Sequence, residues 1–304
     1  MFTGSISTTR MNTLINLLGF SIGSLPFTYL GVPIFKGKPK AAYMQPIADK
    51  IKLKLSAWKA SLLSIAGRAQ LVKSVIHSML IHSLSVYSWP IALLKDIERM
   101  IRNFIWSDDI DKRKLVTVAW HKICKPFNEG GLGIRSLRAP NEAANLKVCW
   151  DLLQSNEDWA KVLRSRACLD RKPINYHIHS SIWTSIKSES STIVENTNWI
   201  IGDGKIINFW NDNWMGEPLA ITLNLNPNLA KHLEAKICDF IVNHQWNIPI
   251  HLSNLFPTIR QILNQIIIPK IHIEDCLSWK HTRLGLLSLK DAYNFKSPPT
   301  QQTP

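Results

Sequence analysis

Positive charge is the most chemically specific feature of this 304-residue sequence, and it is clustered where it can act in concert. Lys50, Lys52, Lys54 and Lys59 recur through one short stretch, Arg68 and Lys73 follow, then Arg99 and Arg102, and Lys112, Arg113 and Lys114 run consecutively. Ammonium and guanidinium groups at this density neutralise a polyanion, either nucleic acid or an anionic membrane surface. The distribution of charge along the chain sharpens the point. Residues 1–140 hold 20 Lys/Arg against 7 Asp/Glu, a surplus of +13, whereas residues 141–304 hold 16 against 15, a surplus of +1. The competing reading is a lysine-rich surface kept for solubility.

Other chemistry is sparsely represented. Cys124, Cys149, Cys168, Cys238 and Cys276 are odd in number, irregularly spaced and include no Cys-x-x-Cys pair, which argues against a disulfide framework and for a reducing compartment. His121-Lys-Ile-Cys124 and His177-Ile-His179 each offer two metal ligands, but no second pair stands at a suitable distance. Buried thiols and surface histidines account for them, and no metal or other cofactor is expected. Gly130-Gly131-x-Gly133 lacks both the Gly-x-Gly-x-x-Gly spacing and a P-loop lysine, so it reads as a structural turn and not a phosphate cradle. Asp108-Asp109, at a helix end beside Lys112-Arg-Lys114, reads as a solvated turn.

Three helices are expected to carry the basic residues. Ile47, Ile51, Leu55 and Trp58 recur at helical spacing after Pro46, which suits a first helical turn, with the lysines on the other faces. A second helix starts near Ser64 and runs to about Val86, burying Ile65, Ala69, Val72, Ile76, Met79 and Leu80 with Arg68 and Lys73 outside, and Trp89-Pro90 closes it. A third, Ile91 to Trp106, turns Leu94, Ile97, Ile101, Phe104 and Ile105 inward and Lys95, Arg99 and Arg102 outward. Three such stripes are hidden against each other, giving a compact bundle. The apolar run from Leu71 to Leu94 is broken by Lys73, His77, His82 and Pro90 and does not read as an uninterrupted membrane span.

Beyond the bundle the signals weaken. Trp120 to Ile134 reads as a short strand or loop with a glycine-rich turn, and Asn141 as the cap of a further helix. Trp199 to Trp210 reads as two strands around an Asp203-Gly204 turn. Residues 220–275 show no clear period, and residues 297–304 read as a disordered tail. The overall expectation is a mainly α chain, a three-helix bundle followed by a smaller irregular α+β region.

A series of short motifs, in order, resembles the plant LINE-type (non-LTR) retrotransposon reverse transcriptases. Leu25-Pro-Phe-x-Tyr-Leu-Gly-Val-Pro33 is similar to the segment that follows the palm in that family. Trp58-Lys59, Leu62-Leu63-Ser64, Ala66-Gly67-Arg68 and Leu71-Val-Lys-Ser-Val75 resemble its thumb. Phe104-Ile-Trp106, Trp120, Cys124-Lys-Pro126, Gly130-Gly-Leu-Gly-Ile134 and Asn141-x-Ala143 continue the series. Trp199-x-x-Gly-Asp-Gly204, Phe209-Trp-x-Asp-x-Trp214 and Pro218-Leu219 resemble the stretch after the connection. Gly285-Leu-Leu-Ser-Leu-Lys-Asp-Ala-Tyr293, with Trp279 before it, resembles the opening of the family's zinc-binding domain. The resemblance covers about residues 12–295.

The resemblance implies a division into a post-palm segment (1–45), a basic thumb-like domain (46–140), a helical connection (141–198), a small α+β region leading into a truncated zinc-binding domain (199–296) and the tail (297–304). It implies that Lys50, Lys52, Lys54, Lys59, Arg68, Lys73, Arg99, Arg102, Lys112, Arg113 and Lys114 contact phosphates of a duplex or RNA–DNA hybrid. Polymerisation in this family needs clustered palm aspartates holding two metal ions. The 29 residues before Leu30 contain no acidic side chain, so no catalytic residue is assigned and the chain is expected not to be an enzyme. The expected function is residual, weak, sequence-tolerant binding to RNA or DNA in the nucleus or cytoplasm, with no membrane partner. The alternative is a decayed element product or an incomplete gene model.

Overall fold

A computed structural model describes residues 7–19, 23–58, 60–107, 109–114, 116, 118–169, 172–174, 178, 180–271 and 273–297. The described chain is mainly helical with four small two-stranded sheets. It divides into two compact units, Met1–Arg135 with His179–Ser181, and Ser136–Ile178 with Ile182–Pro304.

The first unit opens with helix α1 (Thr8–Leu18) and an antiparallel hairpin of β1 (Phe27–Tyr29) and β2 (Val32–Ile34). Leu30 and Gly31 form the two-residue turn, both at positive φ (48° and 81°), the handedness that matches a twisted hairpin. Phe35 then stacks on Tyr43 at 4.4 Å and leans on Tyr87 at 4.8 Å, fastening the hairpin to the helices. Helix α2 (Ala41–Ala57) begins five residues before Pro46. Pro46 therefore lies inside the helix, where it forfeits the amide bond to the Ala42 carbonyl, and does not sit in the first turn. The buried stripe is Met44, Ala48, Ile51 and Leu55, with Ile47 and Trp58 only partly covered.

The second helical stretch runs unbroken from α3 (Ile65–Leu71) through a π-helical segment (Val72–Ile76) into α4 (His77–Val86). Ser64 caps it, its hydroxyl accepting from the Gly67 N–H at 3.2 Å. Ala69, Val72, Ile76 and Leu80 are buried as expected, while Ile65 is exposed. Helix α5 (Ile91–Ser107) packs on α2 and α3 and buries Leu94, Ile97, Ile101, Phe104 and Ile105, the five positions its periodicity marks. After it, Trp120 to Ile134, expected as a short strand or loop with a glycine-rich turn, forms no strand but keeps the turn. A helical turn α6 (Trp120–Ile123) and a 3-10 turn (Phe127–Glu129) lead into the glycines, of which Gly130 and Gly133 adopt positive φ.

In the second unit α7 (Arg138–Gln154) starts before Asn141, which is buried inside the helix and does not cap it. Helix α8 (Asp158–Ala167) follows, then β3 (Cys168–Leu169) pairs with β4 (Lys172–Pro173). Helix α9 (Trp183–Glu195) packs on α7, and Trp150, Trp183, Leu146, Leu152 and Ile186 form a core shared with Trp279. The expected hairpin around Asp203-Gly204 does not form. Strand β5 (Thr197–Ile200) pairs instead with β8 (Cys276–Trp279), about eighty residues on in the chain.

The intervening stretch is made of short pieces: α10 (Leu219–Thr222), α11 (Pro227–Ala230), hairpin β6 (Ile241–Val242) with β7 (Gln245–Trp246), α12 (Ile250–Leu255) and α13 (Ile259–Leu263). An aromatic cluster of Phe209, Trp210, Trp214, Phe240 and Trp246 holds them, with Phe209 and Phe240 centroids 4.1 Å apart. The final helix α14 (Leu289–Lys296) packs on α7, capped at both donors by Ser288 and Asp291. No helix among the described residues is long and apolar enough to cross a membrane. Apart from Ser297, the expected disordered tail lies outside the described residues.

Candidate nucleic-acid interface

The expected basic residues fall into two groups in the first unit. One is exposed. Lys50 and Lys54 stand one turn apart on the same flank of α2, and Lys52, two residues from each, lies on the opposite flank. All three are exposed, and none makes an ion pair with a described residue. Arg99 is exposed on α5 and meets Asp96 at 3.7 Å, a surface pair of little energetic consequence. Arg113 and Lys114 are exposed in the turn after α5, beside Lys112, whose Nζ lies 3.4 Å from Asp109. That turn is fixed from α5: the Asn103 side-chain amide donates to the Ile110 carbonyl at 2.8 Å. The Asp111 N–H donated to the Asp109 carboxylate, together with Lys112, keeps that acid ionised below the usual range. Lys59 and Asp108 lie outside the described residues, as do His177 and His179.

The other group was expected to face solvent and does not. The Arg68 guanidinium donates to the Ile105 carbonyl at 3.1 Å, serving as an acceptor-seeking brace on the last turn of α5. Arg102 is half-buried, its guanidinium 5.4 Å from the Trp120 ring centroid. Lys73 is half-buried with Nζ 4.1 Å from the Phe127 ring centroid. The reason is the segment after residue 119, which carries aromatic rings to these cations. Arg102 Nε, Trp106 Nε1 and Trp120 Nε1 are buried donors without a hydrogen-bond partner.

The glycine turn is structural, as its spacing implied. Its amides are spent internally: Gly130 donates to Phe127, Gly131 to Pro126, Leu132 to Ile123 and Gly133 to Lys125. A Cβ at Gly131 would stand 2.0 Å from the Lys125 carbonyl oxygen, so only glycine fits. Two basic neighbours of this segment were not singled out from the sequence. His77, marked there only as an interruption of an apolar run, has an unpartnered buried Nε2, and Arg135 directly follows the glycine turn. Burial, with the positive charges of Arg135 and Lys73, pushes the His77 ring down to about 4.

The cysteines are poor nucleophiles and poor ligands in this setting. Burial pushes Cys124 and Cys149 up to about 12, and His121 beside the former is exposed. Among the described residues no three His, Cys, Asp or Glu side chains gather closely enough to hold a metal ion. The carboxylate with the densest partners is structural and was missed from sequence. Asp275 is buried in the second unit and accepts from the Gly202, Gly204 and Ile206 amides at 2.7, 2.9 and 2.9 Å. No local pattern marks it, because its partners are about seventy residues away.

No protein-family model matches the chain. It is 31% identical over 277 residues to a protein of Arabidopsis thaliana named "Putative ribonuclease H protein", the match covering 87% of this chain and 44% of that one. It is 29% identical over 149 residues to an uncharacterised mitochondrial protein of the same plant, covering 44% of this chain and 91% of that one. The chain therefore spans less than half the length of the first relative. Both relatives are plant proteins, and the pair is consistent with kinship to a retroelement-related plant protein.

Proposed function

We propose that this chain is a nucleic-acid-binding, non-polymerising stretch of a LINE-type reverse transcriptase, equivalent to its thumb and connection. The observation that carries the reading is the exposed, unpaired state of Lys50, Lys52, Lys54, Arg113 and Lys114 in the strongly basic half. In the second unit, where acids nearly balance bases, four cations are paired: Lys147 with Asp151, Lys205 with Asp203, Lys296 with Glu189 and Arg138 with Glu142. Uncompensated lysines on a rigid helix are the electrostatic footprint of a phosphate-contacting surface. The partner is a duplex or an RNA–DNA hybrid, read through its backbone, so binding is weak and tolerant of sequence.

Ribonuclease H activity appears only in the name of a relative of which the match covers 44%, and it is not proposed for this chain. The test is fluorescence anisotropy of a labelled RNA–DNA hybrid with the full chain and with Lys50→Glu/Lys54→Glu. Loss of most of the affinity in the double variant supports the reading, and unchanged affinity removes α2 from the interface. A parallel primer-extension assay with Mg²⁺ or Mn²⁺ is expected to give no product, and template-dependent extension lost on mutating residues of this chain would overturn the non-polymerising part.

A further inference from the structure

Phe127 is the most exposed Phe, Tyr or Trp among the described residues, with 70% of its surface open. A lone exposed ring is ordinary on a protein surface, but this one is held in place. Its backbone lies in a closed turn: the Pro126 carbonyl accepts from the Glu129 and Gly131 amides at 3.0 Å each, and the Phe127 carbonyl accepts from Gly130 at 3.0 Å. Pro126 fixes φ on one side, and Gly130 adopts a positive φ (79°) on the other. Lys73 Nζ lies 4.1 Å from the ring centroid, and a Cβ at Gly133 would stand 3.5 Å from the ring edge. The ring is thus backed by a cation and by bare backbone. Lys73 makes no ion pair with a described residue, and His121 and Lys122 are exposed in the same segment. Glu129, the one acid between Trp120 and Arg138, lies 4.0 Å from Lys125. A fixed aromatic face in positive surroundings is a recurring means of holding single strands, in which bases stack on the ring and cations draw the phosphates. Bases within a duplex are already stacked on one another, so only an unpaired base can use such a face.

From this geometry we infer that Phe127 is a stacking platform for one unpaired nucleobase of RNA or DNA, with Lys73 drawing the adjoining phosphate. The inference rests on the nucleic-acid reading above and adds a single-stranded contact to the duplex one. The glycine turn contributes by fixing the ring, not by donating amides, since those are already bonded. Every base presents a π-face, so the platform tolerates sequence as the backbone contacts do.

The test uses the full chain and measures, by anisotropy at equal ionic strength, binding to a labelled blunt RNA–DNA hybrid and to the same hybrid with a short unpaired extension. The parent is expected to prefer the extended hybrid. Phe127→Ala should weaken binding of the extended hybrid at least about fivefold, the lower end for one base stacked on an aromatic ring, and so lose the preference. It should bind blunt hybrid as the parent does, and its log–log salt slope should stay at the parent's value, because no phosphate contact is removed. Phe127→Trp should keep the preference, whereas Phe127→Leu, apolar but without a π-face, should lose it. The ring lies outside the core, and retained blunt binding reports that the variants fold. Phe127→Ala or Phe127→Leu preferring the extension as strongly as the parent, or a parent with no preference, overturns the platform and leaves duplex binding standing. A parent that binds neither hybrid overturns the nucleic-acid reading, and the platform with it.

Discussion

Replacing Asp275 by alanine should destabilise the second unit far more than an ordinary substitution. Its carboxylate is the shared acceptor for Gly202 and Gly204 on one oxygen and Ile206 on the other, and it is itself buried. The Gly202 backbone sits tightly against residues 273 and 274, where a Cβ would meet the Glu274 carbonyl carbon at 2.4 Å. Each buried amide stripped of its acceptor costs about 1–3 kcal/mol, so the two fully buried donors alone give roughly 2–6 kcal/mol. That is a large part of the about 5–15 kcal/mol that holds a domain together. Asp275→Asn keeps one carbonyl oxygen for the two glycines but turns an amide toward the Ile206 N–H, so it should lose about half as much, roughly 1–3 kcal/mol. Urea unfolding followed by tryptophan fluorescence reads both, since Trp199, Trp210, Trp214 and Trp246 belong to the same region. An alanine variant within about 0.5 kcal/mol of the parent, the range of an ordinary surface change, would refute the reasoning.

Three further outcomes follow from named contacts. The His77 ring titrates near 4 in the fold and about 6.5 when unfolded, so the unfolded chain takes up a proton first and stability falls as pH drops from about 6.5 toward 4, by up to about 3 kcal/mol. His77→Gln should flatten that part of a urea-midpoint series, and a series with the same pH dependence would contradict it. Gly131→Ala forces a methyl onto the Lys125 carbonyl and should cost at least the about 1–3 kcal/mol of overpacking, whereas Gly67→Ala, with only ordinary contacts in helix α3, should stabilise by about 0.5–1 kcal/mol; thermal melts separate the two. Cys149, buried and pushed up to about 12, should resist 5,5′-dithiobis(2-nitrobenzoate) in the native chain while exposed Cys276 reacts first, and equal rates would show that the α7–α9 core opens readily.

What the sequence made legible was whatever is encoded within one or two helical turns. The stripe Leu94, Ile97, Ile101, Phe104 and Ile105 and the helix start near Ser64 are local patterns, and both appear in the structure. The α2 boundary was displaced because proline is tolerated inside this helix, and Asn141 was read as a cap because polar side chains favour that role when packing does not override it. The pairing of β5 with β8 and the Asp275 anchor depend on contacts some seventy to eighty residues apart, which no window of sequence reveals. Among the basic residues, type and clustering were readable but exposure was not. Lys73 and Arg102 lie against aromatic rings of the segment after residue 119 and Arg68 braces the Ile105 carbonyl of α5, while Lys50, Lys54, Arg113 and Lys114 remain open to solvent.

The central claim is that the basic half binds phosphate backbones, and its most direct test is the salt dependence of binding to a labelled RNA–DNA hybrid. If four to six side chains engage phosphates, the log–log slope should be roughly −3 to −5, with affinity about 10⁻⁴ to 10⁻⁶ M at physiological salt. Scrambling the hybrid sequence should leave both values unchanged, because the contacts are to the backbone. Affinity indifferent to salt, or no binding even at low salt, would mean that the surplus of +13 in residues 1–140 is a soluble surface and not an interface.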